Sequence, residues 1–371
     1  MKRNATPFSL TRISLFSLMT LAFSIQARAQ SQISTFIQAD VADGNKILQA
    51  YTNPFLKRHG DGWADGWTYT AAHEKFTFKL ISLSADFVSN SEKTFDASTL
   101  GLSTSVRPTG SPINQTFAGG TNTNNAGFDV YGKNPVTGQD QKITSFTGPD
   151  GLNLNVLGKN IVPTVQTPQI GIGILPSTEV MIRLMPDVHI GRYAEITVLG
   201  LGVKQTLNNL IFGSGKDNKE TTVPVDLAVY TGYSMEKLSY KLDIEPTAAE
   251  RATSGNEMTN YGNQRVQLRT TNYTVGALAS KKFWFVTPHA GIAYSAAQTT
   301  LSAIGTYPVP SVSSVGTPSV SNVQNPFLVS GLHNGLSANI GLNLNLFIFK
   351  INTDYIISKY NRLNVGVSLF F

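Results

Sequence analysis

Five charged residues occupy the polar face of segments in which apolar and polar residues alternate. Glu179, Arg183, Asp226, Lys350 and Asp354 each lie opposite the apolar face of a strand-like stretch. Charges along the wall of an aqueous channel can select a charged solute. They can also pair across neighbouring strands or hold a plug, which are purely structural roles. Both interpretations place them inside a closed sheet, because a Lys or Arg facing lipid near the midplane costs about 2 to 4 kcal/mol.

Other residue types that support chemistry lack the required spacing. The residues 213–216 lack the first glycine and the final Ser or Thr of a phosphate-binding loop, and no G-x-S-x-G motif occurs. Asp61 and Asp65 lack the spacing of an EF-hand calcium loop, which leaves calcium as a minor alternative. The histidines contain no i, i+4 pair, which favours surface or loop positions over a zinc site: His59, His73, His189, His289 and His333. We therefore expect no cofactor, no metal and no enzymatic activity.

The C-terminal segments sort their side chains into two faces. Residues 338–346 alternate Ala, Ile or Leu with Asn or Gly, and the pattern returns over 349–358 and 363–371, although Thr353 and Ile356 blur it. A strand that is apolar on one face and polar on the other is typical of a wall between lipid and an aqueous lumen. The sequence therefore predicts that these strands belong to a membrane barrel.

The N-terminus and the composition are compatible with export. Residues 1–29 combine a basic start, an apolar run and the small-x-small site Ala27–Arg28–Ala29, which predicts a cleaved signal peptide. Its removal leaves 25 basic and 23 acidic residues, so the charge gives no reason to expect a nucleic-acid partner. Charged residues make up 14% of the chain, against about 25% in soluble domains. The chain has no cysteine, which excludes disulfides and a lipoprotein anchor.

Strand-like segments recur over residues 71–371, the predicted barrel domain. Closure satisfies every backbone hydrogen bond without a helix that spans the bilayer. An even total requires one or three further strands between Asn90 and Val165, with 152–156 as the best candidate. We therefore predict an all-β fold, a transmembrane antiparallel barrel of 12–14 strands. The segments are 76–88, 168–175, 178–186, 189–204, 223–234, 236–244, 264–282, 284–301, 333–346, 348–358 and 361–371.

The connections predict two different ends for this barrel. Short turns at Pro186–Asp187, Met235, Lys282–Phe283 and Phe347 alternate with an opposite set that holds the long connections. Outer-membrane barrels have this asymmetry, with short periplasmic turns and long outward loops, whereas a soluble sandwich has no reason for it. The two loops richest in Gly, Pro, Thr, Asn and Ser show no periodic apolar face. The long loops are about 96–166, 205–222, 245–263 and 302–332.

An N-terminal segment, residues 30–70, precedes the barrel and includes a predicted helix over 40–56. Pro54 is expected to weaken the helix beyond Asn53. The helix either caps the barrel on the periplasmic side or plugs the lumen, where its cations would meet acids such as Asp226 and Asp354. Two Asp-Gly-Trp units in residues 59–67 predict turns with interfacial tryptophans. The candidate plug residues are Lys46, Tyr51, Asn53, Pro54, Lys57 and Arg58.

Several motifs resemble an uncharacterised family of Gram-negative outer-membrane barrels. They are PQIGIGILPSTEVMIRLMP (168–186), GLGVKQTLNN (200–209), VPVDLAVYTGY (223–233), DYIISKYN (354–361) and ADGNKILQAYTNPF (42–55). The layout is also remotely similar to the long-chain fatty-acid transporter family, whose N-terminal hatch blocks the lumen. The terminal Phe371 resembles the signal read by the barrel-assembly machinery. The resemblance implies insertion among the lipids of the outer membrane.

By analogy with the transporters, we expect a channel or transporter for a small solute, which the resemblance suggests is hydrophobic. The first alternative is a non-conducting barrel whose loops serve structure or surface recognition. An outer-membrane hydrolase is a weaker alternative, since no residue pattern supports it.

Overall fold

The computed structural model describes residues 36, 41–121, 124–156, 158–211, 225–248, 251, 254 and 259–370. Helix α1 spans Val41–Ala64, a short helix α2 spans Asn208–Ile211, and two 3₁₀ turns span Asn90–Glu92 and Ala97–Leu100. The strands are β1 Phe76–Phe87, β2 Thr94–Asp96, β3 Val106–Thr109, β4 Ile113–Gln115, β5 Gly127–Lys133, β6 Asp140–Thr147, β7 Asn155–Val156, β8 Lys159–Gln166, β9 Gln169–Leu175, β10 Thr178–Ile190, β11 Ala194–Thr206, β12 Asp226–Lys241, β13 Arg265–Ser280, β14 Val286–Ile304, β15 Thr306–Val312, β16 Pro318–Gln324, β17 Leu328–Leu346, β18 Phe349–Ile357 and β19 Arg362–Phe370.

Ten wall strands form one closed antiparallel barrel. Their order is β1, β8 with β9, β10, β11, β12, β13, β14, β17, β18 and β19, and β19 pairs with β1 to close the wall. We count β8 and β9 as one wall strand because both pair with β1, β9 with its first half and β8 with its second. The predicted all-β antiparallel barrel is confirmed, and the predicted number of 12–14 strands is corrected to ten.

Local features explain the difference in strand number. Strand β12 continues through Met235, so the turn predicted there is absent. Pro186 and Asp187 form an irregularity within β10, and the real turn follows at 191–193. A bulge tolerates proline because its missing N–H is not needed in the ladder. Within the described part of 90–158, no strand crosses the barrel, and the predicted strand 152–156 supplies only the two-residue β7.

The wall has an apolar outer face and a polar inner face. On β12 and β13, Val229, Tyr233 and Tyr273 are exposed on the outside, whereas Ser234 and Asn272 are buried on the inside. The same division continues around the barrel, as the alternation predicts. It provides one surface for hydrocarbon and another for polar contacts in the lumen.

The two ends of the barrel differ in what they carry. The C-terminal end, where β19 finishes, holds the turns at 176–177, 281–285 and 347–348. The loop end, opposite to it, holds the long connections 88–158, 242–264 and 305–327. Because β11 runs toward the C-terminal end and β12 begins there, the described ends of the connection 207–225 also lie there. The prediction that the loop 205–222 shares an end with the other long loops is therefore wrong.

The loop end is closed by a folded layer. Strands β3, β5 and β6 form a small sheet, and β15 and β16 form a hairpin. Buried side chains from both parts, including Val106, Phe128, Tyr307 and Val309, join one apolar cluster. We call this cluster the loop-end core. The expectation that these loops hold no periodic apolar face is therefore wrong, because Phe128 and Val130 are buried at alternate positions of β5.

Helix α1 begins in the loop-end core and runs into the barrel. Ile47, Leu48 and Leu56 are buried in that core. Farther along, Gly60 and Gly62 pack so tightly against the wall that an added Cβ would lie 2.8 Å from wall side-chain atoms. The helix extends eight residues past the predicted end at 56, and Pro54 lies inside it. The helix therefore tolerates the loss of the backbone hydrogen bond at Pro54, because the residues before and after the proline are held by packing.

No helix among the described residues is long and apolar enough to cross a bilayer. Several predictions concern residues outside the described part of the chain. They are the signal peptide 1–29, most of 30–40, portions of the loops 205–222 and 245–263, and the assembly signal Phe371.

Candidate functional site

Residues 41–75, which we call the plug segment, run from the loop-end core into the barrel and touch every wall strand. Helix α1 contacts β8, β10, β12, β13, β14 and β17. Residues 65–75 contact β1, β9, β10, β11, β18 and β19. Of the two positions that the sequence left open, these contacts place the helix in the lumen.

Wall side chains take the place of a C-terminal cap on helix α1. The last carbonyls of a helix lack partners within it, and the final turn of α1 holds no basic residue. Gln166 donates to the Gly62 carbonyl at 2.6 Å, and Thr274 donates to that of Ala64 at 2.9 Å. Arg183 donates to the Trp63 carbonyl at 2.8 Å, so a wall cation lies at the negative end of the helix.

Carboxylates of the plug segment pair with wall cations and histidines. Asp65 accepts two hydrogen bonds from Arg362, one of them at 2.9 Å, and both side chains are largely buried. Asp61 accepts from His333 Nδ1 at 2.6 Å. Glu74 pairs with Lys350 near the C-terminal end. The plug segment is therefore attached to β17, β18 and β19 through charged groups.

On the other side of the lumen, a wall ion pair holds the plug backbone. Glu179 and Lys204 lie 2.7 Å apart on adjacent strands, and both are buried. Glu179 accepts from the Glu74 backbone N–H at 2.6 Å. Lys204 donates to the carbonyls of Thr70 and Ala72 at 3.1 and 2.9 Å. Each charge therefore binds its partner and the plug segment at once.

Trp67 is seated against wall glycines. A Cβ built on Gly200, Gly202 or Gly232 would lie between 2.2 and 3.2 Å from its ring, so these glycines make the space that the ring fills. The Arg183 guanidinium covers the ring at 3.9 Å from its centroid. Trp67 is buried, as is Trp63 within the helix. The prediction that these tryptophans are interfacial is wrong, because both lie in the lumen.

The five predicted lumen charges all lie on inward-facing positions. Arg183, Glu179 and Lys350 bind the plug segment. Asp354 pairs with His289 at 2.5 Å within the wall. Asp226 lies at the C-terminal end of the barrel, where it accepts from Asn208 at 2.7 Å. Four of the five are buried, and their contacts are with the plug segment or with the wall itself.

The predicted plug residues lie toward the loop end. Lys46 pairs with Asp43, and the Tyr51 hydroxyl donates to a loop carbonyl at 3.0 Å. Arg58 pairs with Glu92 at 2.6 Å and covers the Tyr360 ring. Lys57 and Asn53 are half-buried, and Pro54 is buried within the helix. The expectation that the helix cations meet Asp226 and Asp354 is wrong, since the described contacts of Lys46 and Arg58 are with other groups.

The ion pair with Arg58 changes the pKa of Glu92, a residue of the loop end that lies outside the wall strands. Burial raises the pKa of Glu92, but hydrogen bonds from Arg58 and Ser89 outweigh burial and bring the pKa below its ordinary value. Glu92 is therefore held in its charged form by the helix cation.

Sequence reasoning missed most of the partners. Lys204 and Arg362 follow the same alternation that identified Arg183, so their inward orientation was available from the pattern. The expectation that histidines favour the surface is wrong for three of them: His59, His289 and His333 are buried beside carboxylates. Their partners lie far away in sequence, and no local spacing relates them.

Little free space is left around the plug segment. A cavity of about 30 Å³ lies between residues 67–74 and the wall. A cavity of about 240 Å³ lies at the C-terminal end, lined by His73, Phe76, Lys282 and Asn345 among others. Among the described residues, no group of three or more His, Asp or Glu is placed to hold a metal ion.

The comparisons with known proteins identify the family. Residues 3–371 match a family of unknown function, DUF6588. The chain belongs to this family. No curated protein matches the chain.

Solved structures that the chain is similar to include outer-membrane proteins. The attachment invasion locus protein Ail of Yersinia pestis is 12% identical over 54% of this chain and 96% of its own, with a TM-score of 0.21. The outer-membrane transporter YddB of Escherichia coli is 9% identical over 80% of this chain and 41% of its own, with a TM-score of 0.27. A FadL homologue of Pseudomonas aeruginosa is 9% identical over 86% of this chain and 98% of its own, with a TM-score of 0.21. At these scores the likeness carries no argument about activity.

Proposed function

We propose that this protein is a gated channel or transporter for a small solute in the outer membrane of a Gram-negative bacterium. The observation that carries the proposal is the polar contact surface between the wall and the second half of the plug segment, which we call the polar seat. Between Gly62 and Glu74 the contacts to the wall are mainly hydrogen bonds and ion pairs, and the wall groups that make them are buried.

A polar seat suits a plug that moves. An apolar interface loses its stabilisation when water enters, at about 25 cal/mol per Å². A buried ion pair contributes little beyond its own cost of desolvation, because both charges are well solvated once they separate. Displacement of residues 62–75 therefore costs less than displacement of an apolar segment of the same size.

The lumen wall also bears on the class of solute. Its inward-facing groups at the plug seat are Lys, Arg, Glu, Thr, Asn and Gln side chains. A central path lined by such groups favours a polar or charged solute, because they offer hydrogen bonds and would be left unsatisfied by an apolar one. The hydrophobic solute suggested by the remote resemblance stays a prediction.

The second candidate is a non-conducting barrel that presents its loop end for surface recognition. It is favoured by the folded layer around the loop-end core, which closes that end of the barrel with well-packed side chains. Barrel-assembly machinery and membrane lipids are partners under either function.

A reversible lock on the plug segment tests the first candidate. Thr70 and Ser280 place their hydroxyl oxygens 3.3 Å apart, one on the plug segment and one on β13. The variant Thr70→Cys/Ser280→Cys in this cysteine-free chain gives a disulfide that no native thiol can disturb. Single-channel currents are recorded in planar bilayers before and after dithiothreitol, with Thr70→Cys alone as the matched control.

We expect the oxidised double variant to be silent, the reduced double variant to open, and the single variant to open in both conditions. Equal currents from the oxidised and reduced double variant would show that ions do not need plug displacement. Silence of the wild-type protein and all variants, in bilayers where insertion is verified, would support the non-conducting barrel.

A further inference from the structure

Four basic residues form two pairs on the outside of the barrel, and in each pair two like charges face each other across neighbouring strands. We call each pair a rung. In the register of β12 and β13, Lys237 lies directly opposite Arg269, and Lys241 lies directly opposite Arg265. Like charges directly opposite each other on one face of a sheet destabilise the pair. Two such rungs, separated by a single outward-facing pair, concentrate positive charge that the fold alone does not require.

Few acids compensate this cluster. Glu195 lies 4.0 Å from the Lys237 ammonium and also 3.8 Å from His189. Asp187 accepts a hydrogen bond from Thr197 on the neighbouring strand. Among the described residues, Arg265, Arg269 and Lys241 form no ion pair. On the β14 side, the residues opposite Arg265 and Arg269 are Ile304 and Thr300, which bring no negative charge.

The rungs lie where the apolar band of the wall ends. Outward-facing residues of β12 are apolar or aromatic from Leu227 to Tyr233, apart from Thr231, and the first outward charge is Lys237. From Leu227 to Lys237 the strand rises about 34 Å at roughly 3.4 Å per residue. A tilt of about 40° reduces this to about 26 Å, close to the roughly 25 Å of an outer-membrane apolar band. The rungs therefore meet the headgroup layer at the loop end.

A cavity of about 270 Å³ opens beside the rungs. Its lining includes Arg192 and Tyr193 from the turn after β10 and the cations Lys237, Lys241 and Arg265. His189 and the Glu195 carboxylate also line it, so the cavity holds one acid among four Lys and Arg side chains. Tyr193 is half-exposed and faces the same region. An exposed aromatic ring next to a group of cations suits a ligand that has both an apolar part and an anionic headgroup.

We propose that this cluster is a binding site for a phosphorylated lipid headgroup of the outer leaflet. Phosphate oxygens accept charge-assisted hydrogen bonds from the Arg and Lys side chains and remove the repulsion within each rung. The inference rests on the membrane location in the proposed function, but it does not depend on whether the lumen conducts.

The test compares two double variants of the full chain in detergent. Lys237→Gln/Arg269→Gln removes one rung. Lys159→Gln/Lys359→Gln removes the same charge from exposed positions at the loop end, away from the cluster. Native mass spectrometry measures binding of lipid A with two phosphates, of dephosphorylated lipid A and of inorganic pyrophosphate. Thermal unfolding is followed with and without lipid A.

We expect wild type and the control variant to bind phosphorylated lipid A at least tenfold more tightly than the dephosphorylated form, and the rung variant to lose that preference. The rung variant also loses the repulsion between Lys237 and Arg269. Without lipid it should therefore unfold at a higher temperature than wild type, and lipid A should not raise its unfolding temperature further. A residue that only supports the fold would lower the unfolding temperature instead.

Equal binding of both forms of lipid A by wild type would overturn the proposal, as would an equal loss in the control variant. Pyrophosphate binding as tight as that of lipid A would overturn the lipid assignment in favour of a soluble anion. Because the readouts are lipid binding and unfolding, a failure here is distinct from silence in the bilayer recordings.

Discussion

The two halves of the plug segment are held by opposite kinds of contact. Toward the loop end, Ile47, Leu48, Tyr51 and Leu56 are packed into an apolar core with the folded loops. Toward the C-terminal end, residues 59–75 meet wall side chains mainly through hydrogen bonds and charges, with the Trp67 ring packed against wall glycines. Apolar packing is lost when water enters, whereas separated charges regain hydration. The first half therefore acts as an anchor, and the second half is the part that can move.

The largest expected effect is in the charged half. Arg362→Ala leaves the buried carboxylate of Asp65 without its partner, which should lower the free energy of unfolding by about 3 to 5 kcal/mol. Urea unfolding in detergent micelles measures the loss. The control Asp65→Asn/Arg362→Met removes both charges, so it should lose clearly less. A double variant as unstable as the single one would contradict the charged attachment.

The anchor should respond to cavity formation. Leu48 is buried in the loop-end core, and Leu48→Ala should lower the free energy of unfolding by about 2 to 5 kcal/mol. Unlike Arg362→Ala, this loss should not change with salt, because no charge is exposed. Unfolding curves at low and high NaCl make the comparison. Equal salt dependence of the two variants would remove the distinction between the halves.

A smaller loss of stability is expected from a change in the wall glycines that pack against Trp67. Gly232→Ala places a methyl group about 2.2 Å from the Trp67 ring, so overpacking should destabilise by about 1 to 3 kcal/mol. Gly335→Ala is the matched control, because its added Cβ meets only His333, at 3.9 Å. Tryptophan fluorescence should shift to longer wavelength for the first variant only. Identical spectra and stabilities would argue that Trp67 is not fitted to these glycines.

The smallest expected effect concerns pH at the loop end. The folded pKa of Glu92 is lowered, so its stabilisation is present above the ordinary carboxylate pKa of about 4.3 and is lost as the pH falls through the folded value. Glu92→Gln should therefore cost under about 1 kcal/mol at neutral pH, because the pair is partly exposed, and nothing in strong acid. Unfolding measured from pH 7 to pH 3 gives the profile. A difference that grows toward acid would have the wrong sign.

Side-chain alternation was enough to predict the barrel but not its strand number. The period of two assigns the five charges to the inner face of their strands, because a residue's face depends only on its position in the strand. The alternation predicts a turn at Met235, whereas β12 continues through it, because beyond this residue its inward-facing side chains Leu238 and Tyr240 pack against the loop-end core. Pro186 indicates a turn in the sequence but lies at a bulge in β10, because proline is compatible with both.

The content of the lumen was harder to predict, for a physical reason. The acids Asp61 and Asp65 occur in a glycine-rich stretch that resembles turns, and their partners His333 and Arg362 lie nearly 300 residues away. Only the path of the chain through the closed barrel brings them together. Pro54 led to an early helix end because local propensity does not include the support of the surrounding wall.

Single cysteines test the central claim, the mobility of the charged half, most directly. Ala64 is 0% exposed and Thr52 is 4% exposed, so the structure itself does not favour a faster reaction at Ala64→Cys than at Thr52→Cys. Both variants are labelled with a small methanethiosulfonate reagent in lipid nanodiscs, and the rates are compared. Displacement of the plug predicts that Ala64→Cys reacts at least tenfold faster than Thr52→Cys. Equal rates, or faster reaction at Thr52→Cys, would contradict it.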